Sequence, residues 1–230
     1  MVIFPSIREL LYRTGQYEPP VKLVPIIQEM GKSWQYEPGL NYPRTDGKTI
    51  FVPDRVRASQ PDVNIAIAHD LYQALLGIPG RATDLAYDER ESEFDAWGRS
   101  MVMPEHWFRE DAERFRRQRT VRTLAKRYNV FPRTIVTRAL ELTLCTVVCR
   151  DAESYRFFMA HPYWKDRRIA YLTTHRRCEH ARCDNKAVMV HHLDPAGYKF
   201  IGREEDEHLR ALCKPHHDAQ HPAAGQLTFL

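Results

Sequence analysis

Nowhere do these 230 residues string together the roughly eighteen uninterrupted apolar residues that a membrane-spanning helix requires. The opening MVIFPSIRELLYRTG also lacks an apolar run of signal-peptide length. These absences predict a soluble, cytoplasmic protein with no membrane partner. Cysteine is sparse as well: the five present are an odd number, so they cannot all pair, and a disulfide framework is not expected. No internal repeat or low-complexity tract is visible, which argues against a solenoid or a linker-like chain. Net charge is mild, only +4. What is present is an ordinary globular balance, 43% hydrophobic and 28% charged, in a length that suits one large domain or two modest ones.

The small surplus of positive charge is unevenly placed. Between Arg109 and Arg138 there are ten Lys or Arg against Glu110, Asp111 and Glu113, a local surplus of seven. Around that stretch the chain reads as mixed α and β. A helix is predicted at Val24 to Met30, followed by strand-like SWQY (33 to 36) and TIFV (49 to 52) on either side of the turn-rich NYPRTDGK. VNIAIAHDLYQALLG has helical spacing and ends on Gly77, a normal C-cap, and a further helix is predicted from Glu89 to Met103, stopping at Pro104. TVRTLAKRYNVFPRTIVTRALEL predicts two short helices joined at Asn129 to Pro132, because proline at the start of a helix loses no hydrogen bond there. That is a helix-turn-helix outline, with Lys126, Arg127, Arg133 and Arg138 as candidate phosphate contacts or, on the bland alternative, a solvated charged face. Cys145 and Cys149, at i and i+4 in apolar LCTVVC, are expected in the core. Residues 151 to 175 read as a connector rich in aromatics and arginine, with IAYLT a candidate strand.

Seven of the eleven histidines follow residue 179, interleaved with Cys178, Cys183 and Cys213. Cys178 and Cys183 form a CxxxxC knuckle and Cys213 with His216 forms CxxH, so two pairs can bring four ligands to one tetrahedral structural zinc. A module this small needs such a staple, having little core of its own. The remaining histidines have a different spacing. His191 and His192 end the strand-like AVMV and point to opposite sides of an extended chain, while His217 and His221 lie one helical turn apart. His191, His217 and His221 could hold a second divalent metal with open positions, leaving His192 free to act as a base. His180, between the zinc cysteines, reads as an exposed loop residue.

The string VHHLDPAGYKFIGREEDEHLRALCKPHHDAQH resembles the HNH, or ββα-metal, endonucleases, especially the bacterial type reading VHHL…G-R-E…L-x-x-L-C-x-x-C-H-x-x-x-H. The resemblance covers about a fifth of the chain. It implies His192 as general base, His191, His217 and His221 as ligands of the catalytic metal (Mg, Mn, Ni or Zn), and metal-assisted hydrolysis of phosphodiester bonds in DNA, with RNA an open alternative. Two positions depart from the pattern. His208 stands where the family usually has Asn, which orients the loop bearing the base, and His216 stands for the last zinc cysteine.

AIAHDLYQALLG followed by ERESEFDAWGRSMVMPEHW resembles the ImmA/IrrE metallopeptidases, whose pattern is AHExxH on one helix and E-x-E-A…LLMP on the next. The resemblance spans about residues 20 to 145 and aligns His69 with the first zinc histidine and Glu93 with the third ligand. Gln73 replaces the second histidine and Asp70 the catalytic glutamate, so a degenerate, inactive site is expected; the bland alternative makes His69 a buried helix histidine satisfied by Glu93 or backbone. The combined expectation is α+β: a mostly helical, zincin-like region (1–112), a basic helix-turn-helix segment (113–150), the connector (151–175) and a zinc-stapled ββα-metal module (176–230). The function expected is a nuclease targeted by an inert peptidase-like region. The rival is a regulatory protein binding DNA or a repressor-like protein or peptide, with the zinc module only structural.

Overall fold

The computed structural model describes residues 5–41, 43–54, 60–78, 87–116, 119–193 and 200–220. Among these, no helix is long and apolar enough to cross a membrane. The protein is α+β and mostly helical, as the sequence predicts. It divides into two compact units, residues 1–111 with 124–134 and residues 112–123 with 135–230.

The first unit begins with α1 (Ile7–Arg13) and α2 (Leu23–Glu29), followed by β1 (Ser33–Tyr36), β2 (Arg44–Thr45) and β3 (Thr49–Val52). Both predicted strands fall where expected. They pair in parallel, Ser33 opposite Thr49 through Tyr36 opposite Val52, and the two-residue β2 inside the predicted turn pairs antiparallel on the other side of β3. Ile50 and Val52, two residues apart, bury one face of the central strand.

Helix α3 (Val63–Leu75) packs on that sheet and against α4 (Tyr87–Val102). Gly77 follows α3 at φ +70°, the left-handed C-cap its sequence position suggests. Gly98 sets the closeness of the two helices, because a Cβ there would lie 2.7 Å from the Ile65 carbonyl oxygen. Pro104 separates α4 from α5 (Glu105–Phe115).

The two predicted short helices form as α6 (Thr120–Tyr128) and α7 (Pro132–Glu141), joined through Asn129 at φ +54°. Their apolar residues Leu124, Tyr128, Val130, Ile135 and Val136 are buried. Asp62, itself left-handed at φ +68°, caps α7 from a distance: its carboxylate accepts the Phe131 N–H (2.9 Å) and the Thr134 hydroxyl (2.7 Å). On α5, buried Asp111 accepts from Arg127 Nε (2.6 Å) and from the buried Tyr128 hydroxyl (2.9 Å).

In the second unit, α8 (Cys145–Val148) carries Cys145 and Cys149 into the core, as expected. The connector reading is corrected. Residues 151–175 hold two helices, α9 (Ala152–Ala160) and α10 (Pro162–Thr174), and IAYLT is helical, not a strand. The start signals outweigh its strand-like composition: Asp151 caps α9 by accepting the Ser154 N–H, while His161 caps α10 with Pro162 at its first turn. A hairpin follows, β4 (Met189–His192) antiparallel to β5 (Leu209–Leu212), and then α11 (Lys214–Ala219). The strand sits two residues later than AVMV and includes both histidines. Gly202, at φ +86°, brings the loop before β5 against α8; a Cβ there would meet the Cys145 side chain at 2.9 Å.

Candidate functional site

The strongest constellation is the one read from cysteine spacing. Cys178 and Cys183 lie on a turn closed by the Arg177–Lys186 bridge, with the Cys178 N–H donating to the Asn185 carbonyl and the Cys183 N–H to the His180 carbonyl. Cys213 follows β5 as the N-cap residue of α11, and His216 sits in the first turn of that helix. Their ligand atoms all lie within 4.8 Å of one another, so the four could hold a metal ion such as zinc. His216 Nδ1 is 3.3 Å from the sulfurs of Cys178 and Cys213, and the Cys183 and Cys213 sulfurs are 4.0 Å apart. A tetrahedron with 2.3 Å metal–sulfur bonds has edges of about 3.8 Å, so the donor set fits.

Burial opposes ionisation of Cys178, but N–H groups of Cys213 and His180 and the His216 ring bring its thiol down to about 6, the thiolate a metal takes. Glu179 anchors the knuckle by accepting from the Ala211 N–H and the Tyr171 hydroxyl. His180 is exposed, as expected, but its ring also stacks on His216 with centroids 3.8 Å apart.

The two faces of β4 carry different chemistry. His191 faces α11, where its ring meets that of His217 edge-on with centroids 5.7 Å apart. His221 lies outside the described residues. His192 points the opposite way, and the expectation that it is free is corrected. Its side chain is 8% exposed, it stacks on Trp164 of α10 at 4.2 Å, and both ring nitrogens have partners. Nδ1 is 3.1 Å from the Tyr155 hydroxyl on α9, and Nε2 is 3.3 Å from Glu204 Oε1.

The Glu204 side chain is completely buried. Its carboxylate also accepts from the Gly202 N–H (3.0 Å) and the Tyr163 hydroxyl (2.8 Å), while Arg167 Nε donates to its backbone oxygen. Burial works against its charge, yet the bonds from His192, Gly202 and Tyr163 hold it below the usual carboxylate range. An ionised carboxylate only accepts, so the proton of neutral His192 sits on Nε2 and Nδ1 offers its lone pair to the Tyr155 O–H. Burial and Glu204 push the Tyr163 hydroxyl to a much higher pKa, which keeps it a donor.

His208 is buried between the strands. Its ring stacks on Phe200 at 3.7 Å and accepts the Glu205 N–H, while its carbonyl accepts the Leu193 N–H. It therefore ties the residue following the histidine pair to the start of β5, an orienting position.

The N-terminal constellation is rearranged relative to its sequence alignment. His69 Nδ1 is 2.8 Å from Asp95, and Nε2 meets Gln73 Nε2 at 2.9 Å and Glu91 at 3.5 Å. Glu93, the aligned ligand, instead accepts from Tyr72 at 3.0 Å. Residues 91 and 95 share a helical face one turn apart, whereas 93 is rotated away from it. Burial lowers the basicity of His69, but Asp95, Glu91 and Asp70 more than restore it and leave its pKa raised. Asp70 and Gln73 are buried. The cluster joins α3 to α4 with both imidazole nitrogens engaged.

Of the four basic candidates, Lys126 and Arg133 are exposed, the latter over the Phe131 ring at 5.4 Å. Arg127 pairs with Asp111, and Arg138 is buried against Glu141 (2.9 Å). Position 138 faces the protein interior, whereas Arg127 stays partly exposed with its guanidinium engaged by Asp111. Spacing did not reveal Glu204, Tyr155, Tyr163 and Trp164 around His192, or Glu91 and Asp95 around His69. The only signals were the GRE string and the aromatic richness of residues 155 to 171. No protein-family model, curated protein or solved structure matches the chain.

Proposed function

We propose that the protein is a metal-dependent endonuclease of the HNH type, hydrolysing phosphodiester bonds in DNA. The observation that carries the reading is the meeting of a strand imidazole, His191, with a helix imidazole, His217, on a hairpin and helix fastened by the Cys178, Cys183, Cys213 and His216 cluster. The four-ligand cluster would hold structural zinc. His191 and His217, with His221, would hold a catalytic divalent cation, which supplies Lewis-acid stabilisation of charge on the scissile phosphate.

His192 would act as the general base, with buried Glu204 at its Nε2 to stabilise the imidazolium once a proton is taken. His208 steadies the loop that follows His192. The exposed Lys126 and Arg133 would add salt-sensitive, sequence-independent affinity for the nucleic-acid backbone. Asp62 at the start of α7 places a negative charge where a recognition helix would present its N-terminus to phosphate, so these contacts are peripheral. The peptidase-like region would serve targeting or regulation: among the described residues no second imidazole lies beside His69, and its ring is held by Asp95, Gln73 and Glu91.

A second reading draws on the internal bonding of both His192 nitrogens: a regulatory protein that binds DNA or a repressor-like peptide, its zinc module purely structural. Labelled duplex DNA and RNA, incubated with zinc-loaded protein and Mg²⁺, Mn²⁺ or Ni²⁺, separate the two. Cutting that disappears in His191→Ala with zinc retained supports the nuclease; intact substrates under every metal support the regulatory reading.

A further inference from the structure

We propose that Arg210 is a substrate-binding residue of the hairpin, its guanidinium holding a phosphate oxygen of the nucleic-acid backbone beside the His191–His217 pair. The assignment rests on the nuclease reading and adds to it a residue outside the histidines. Strand register carries it. In the antiparallel pairing of β4 with β5, His191 stands directly opposite Arg210, and Val190 opposite Ala211. Residues directly opposite in such a pair share a face of the hairpin, with Cβ atoms about 4.5–5.5 Å apart. Side chains alternate along each strand, so the hairpin has two unlike faces. Val190, His192, Leu209 and Ala211 make one, which is closed: three of them are buried, and His192 lies against Trp164. Met189, His191, Arg210 and Leu212 make the other, where the His191 ring meets His217 of α11. Arg210 is therefore the strand residue that brings a permanent positive charge to the histidine face.

That charge is also uncommitted. Arg210 is exposed and, among the described residues, has no hydrogen-bonding or carboxylate partner. Other cations of the same unit are engaged: Arg167 donates to the Glu204 carbonyl and to Asp206, Arg168 to the Val188 carbonyl, and Lys214 pairs with Asp218. A guanidinium keeps its proton throughout the working pH range and presents a planar fork of donors that matches two oxygens of a phosphate. Neutral imidazoles supply no such charge. Arg210 thus complements the anionic backbone on the face where His191 and His217 meet, and the further negative charge that builds on a phosphate under attack.

Arg210→Ala removes the guanidinium from an exposed strand position and leaves the Cys178, Cys183, Cys213 and His216 cluster untouched. On plasmid DNA with Mn²⁺ it should lose about ten- to a hundredfold in kcat/KM with bound zinc unchanged. Arg150→Ala, which removes an exposed charge elsewhere in the unit, should cut as the wild type does. Arg210→Gln repeats the test with a longer side chain should alanine disturb β5. Binding of a labelled DNA duplex by the zinc-loaded full chain, followed by fluorescence anisotropy without added cation, gives a readout independent of cutting. The slope of log affinity against log salt should be shallower by about one for Arg210→Ala and unchanged for Arg150→Ala. Cutting by Arg210→Ala at the wild-type rate, or an equal loss in both alanine variants, overturns the assignment and leaves the nuclease standing. A wild type that cuts nothing removes the nuclease reading, and the salt slope then decides Arg210 alone: a drop of about one keeps the phosphate contact, while an unchanged slope or no binding overturns it.

Discussion

Chelation of a metal held by the Cys178, Cys183, Cys213 and His216 cluster should unfold one part of the second unit selectively. The buried cluster next to the site consists of Cys178, Leu212 and Cys213, with Cys183 partly buried against it. Three of those four residues are the ligands themselves, so without a metal the knuckle retains essentially one aliphatic side chain. Burying Leu212 contributes about 1.5–3 kcal/mol. A structural zinc in a finger-like site contributes an apparent 10–16 kcal/mol, roughly, at neutral pH. The metal therefore outweighs local burial several-fold.

Its removal should free residues 177–186 and α11, while α9 and α10 keep their own aromatic core of Phe158, Trp164 and Tyr171. Limited proteolysis, with a colorimetric zinc-release assay on the same samples, is the check. The expected outcome is one equivalent of zinc released and new cleavage after Arg177 or Arg182, with little loss of far-UV circular dichroism. Protein that carries no zinc, or a knuckle equally protected with and without chelator, would refute the reasoning.

Three further outcomes follow from the first unit. Asp111→Ala leaves the buried Tyr128 hydroxyl without its acceptor and should cost about 1–3 kcal/mol in urea unfolding, while Asp111→Asn, which still accepts from the phenol, should cost less. Asp62→Ala removes the distant cap of α7 and should cost about 1 kcal/mol by the same measurement, with Asp62→Asn largely sparing it. The His69–Asp95 pair gives a pH dependence. The raised His69 pKa contributes stability that is full below its ordinary 6.5 and fades as pH rises through the folded value. Asp95, lowered chiefly by its bond to His69 against the opposing effect of burial, contributes above 3.8 and loses that contribution as pH falls through its folded value. Melting temperature should therefore decline as pH rises above 6.5, and His69→Gln should flatten that decline.

Short-range signals in the sequence proved readable, and long-range ones did not. The cysteine knuckle and CxxH pair were visible because each ligand pair is local, and the strand positions of SWQY and TIFV followed from composition. Their parallel pairing was not legible, since alternation reveals which face is buried but not which neighbour is bonded. IAYLT misled because its β-branched and aromatic residues suggest a strand, while its helix is initiated seven residues earlier at His161 and Pro162. His192 appeared free because its partners, Tyr155, Trp164 and Glu204, are scattered from 37 residues before it to 12 after. Motif alignment points to Glu93 because it fixes a position along a helix without showing which side chain turns toward His69; Glu91 and Asp95 carry no such signal.

The most direct test of the central claim is nicking of supercoiled plasmid by zinc-loaded protein on addition of Mn²⁺, beside His217→Ala with its zinc content verified. The account predicts open-circular product from the wild type and none from the variant. Intact plasmid with the wild type, or equal nicking by both, would contradict it.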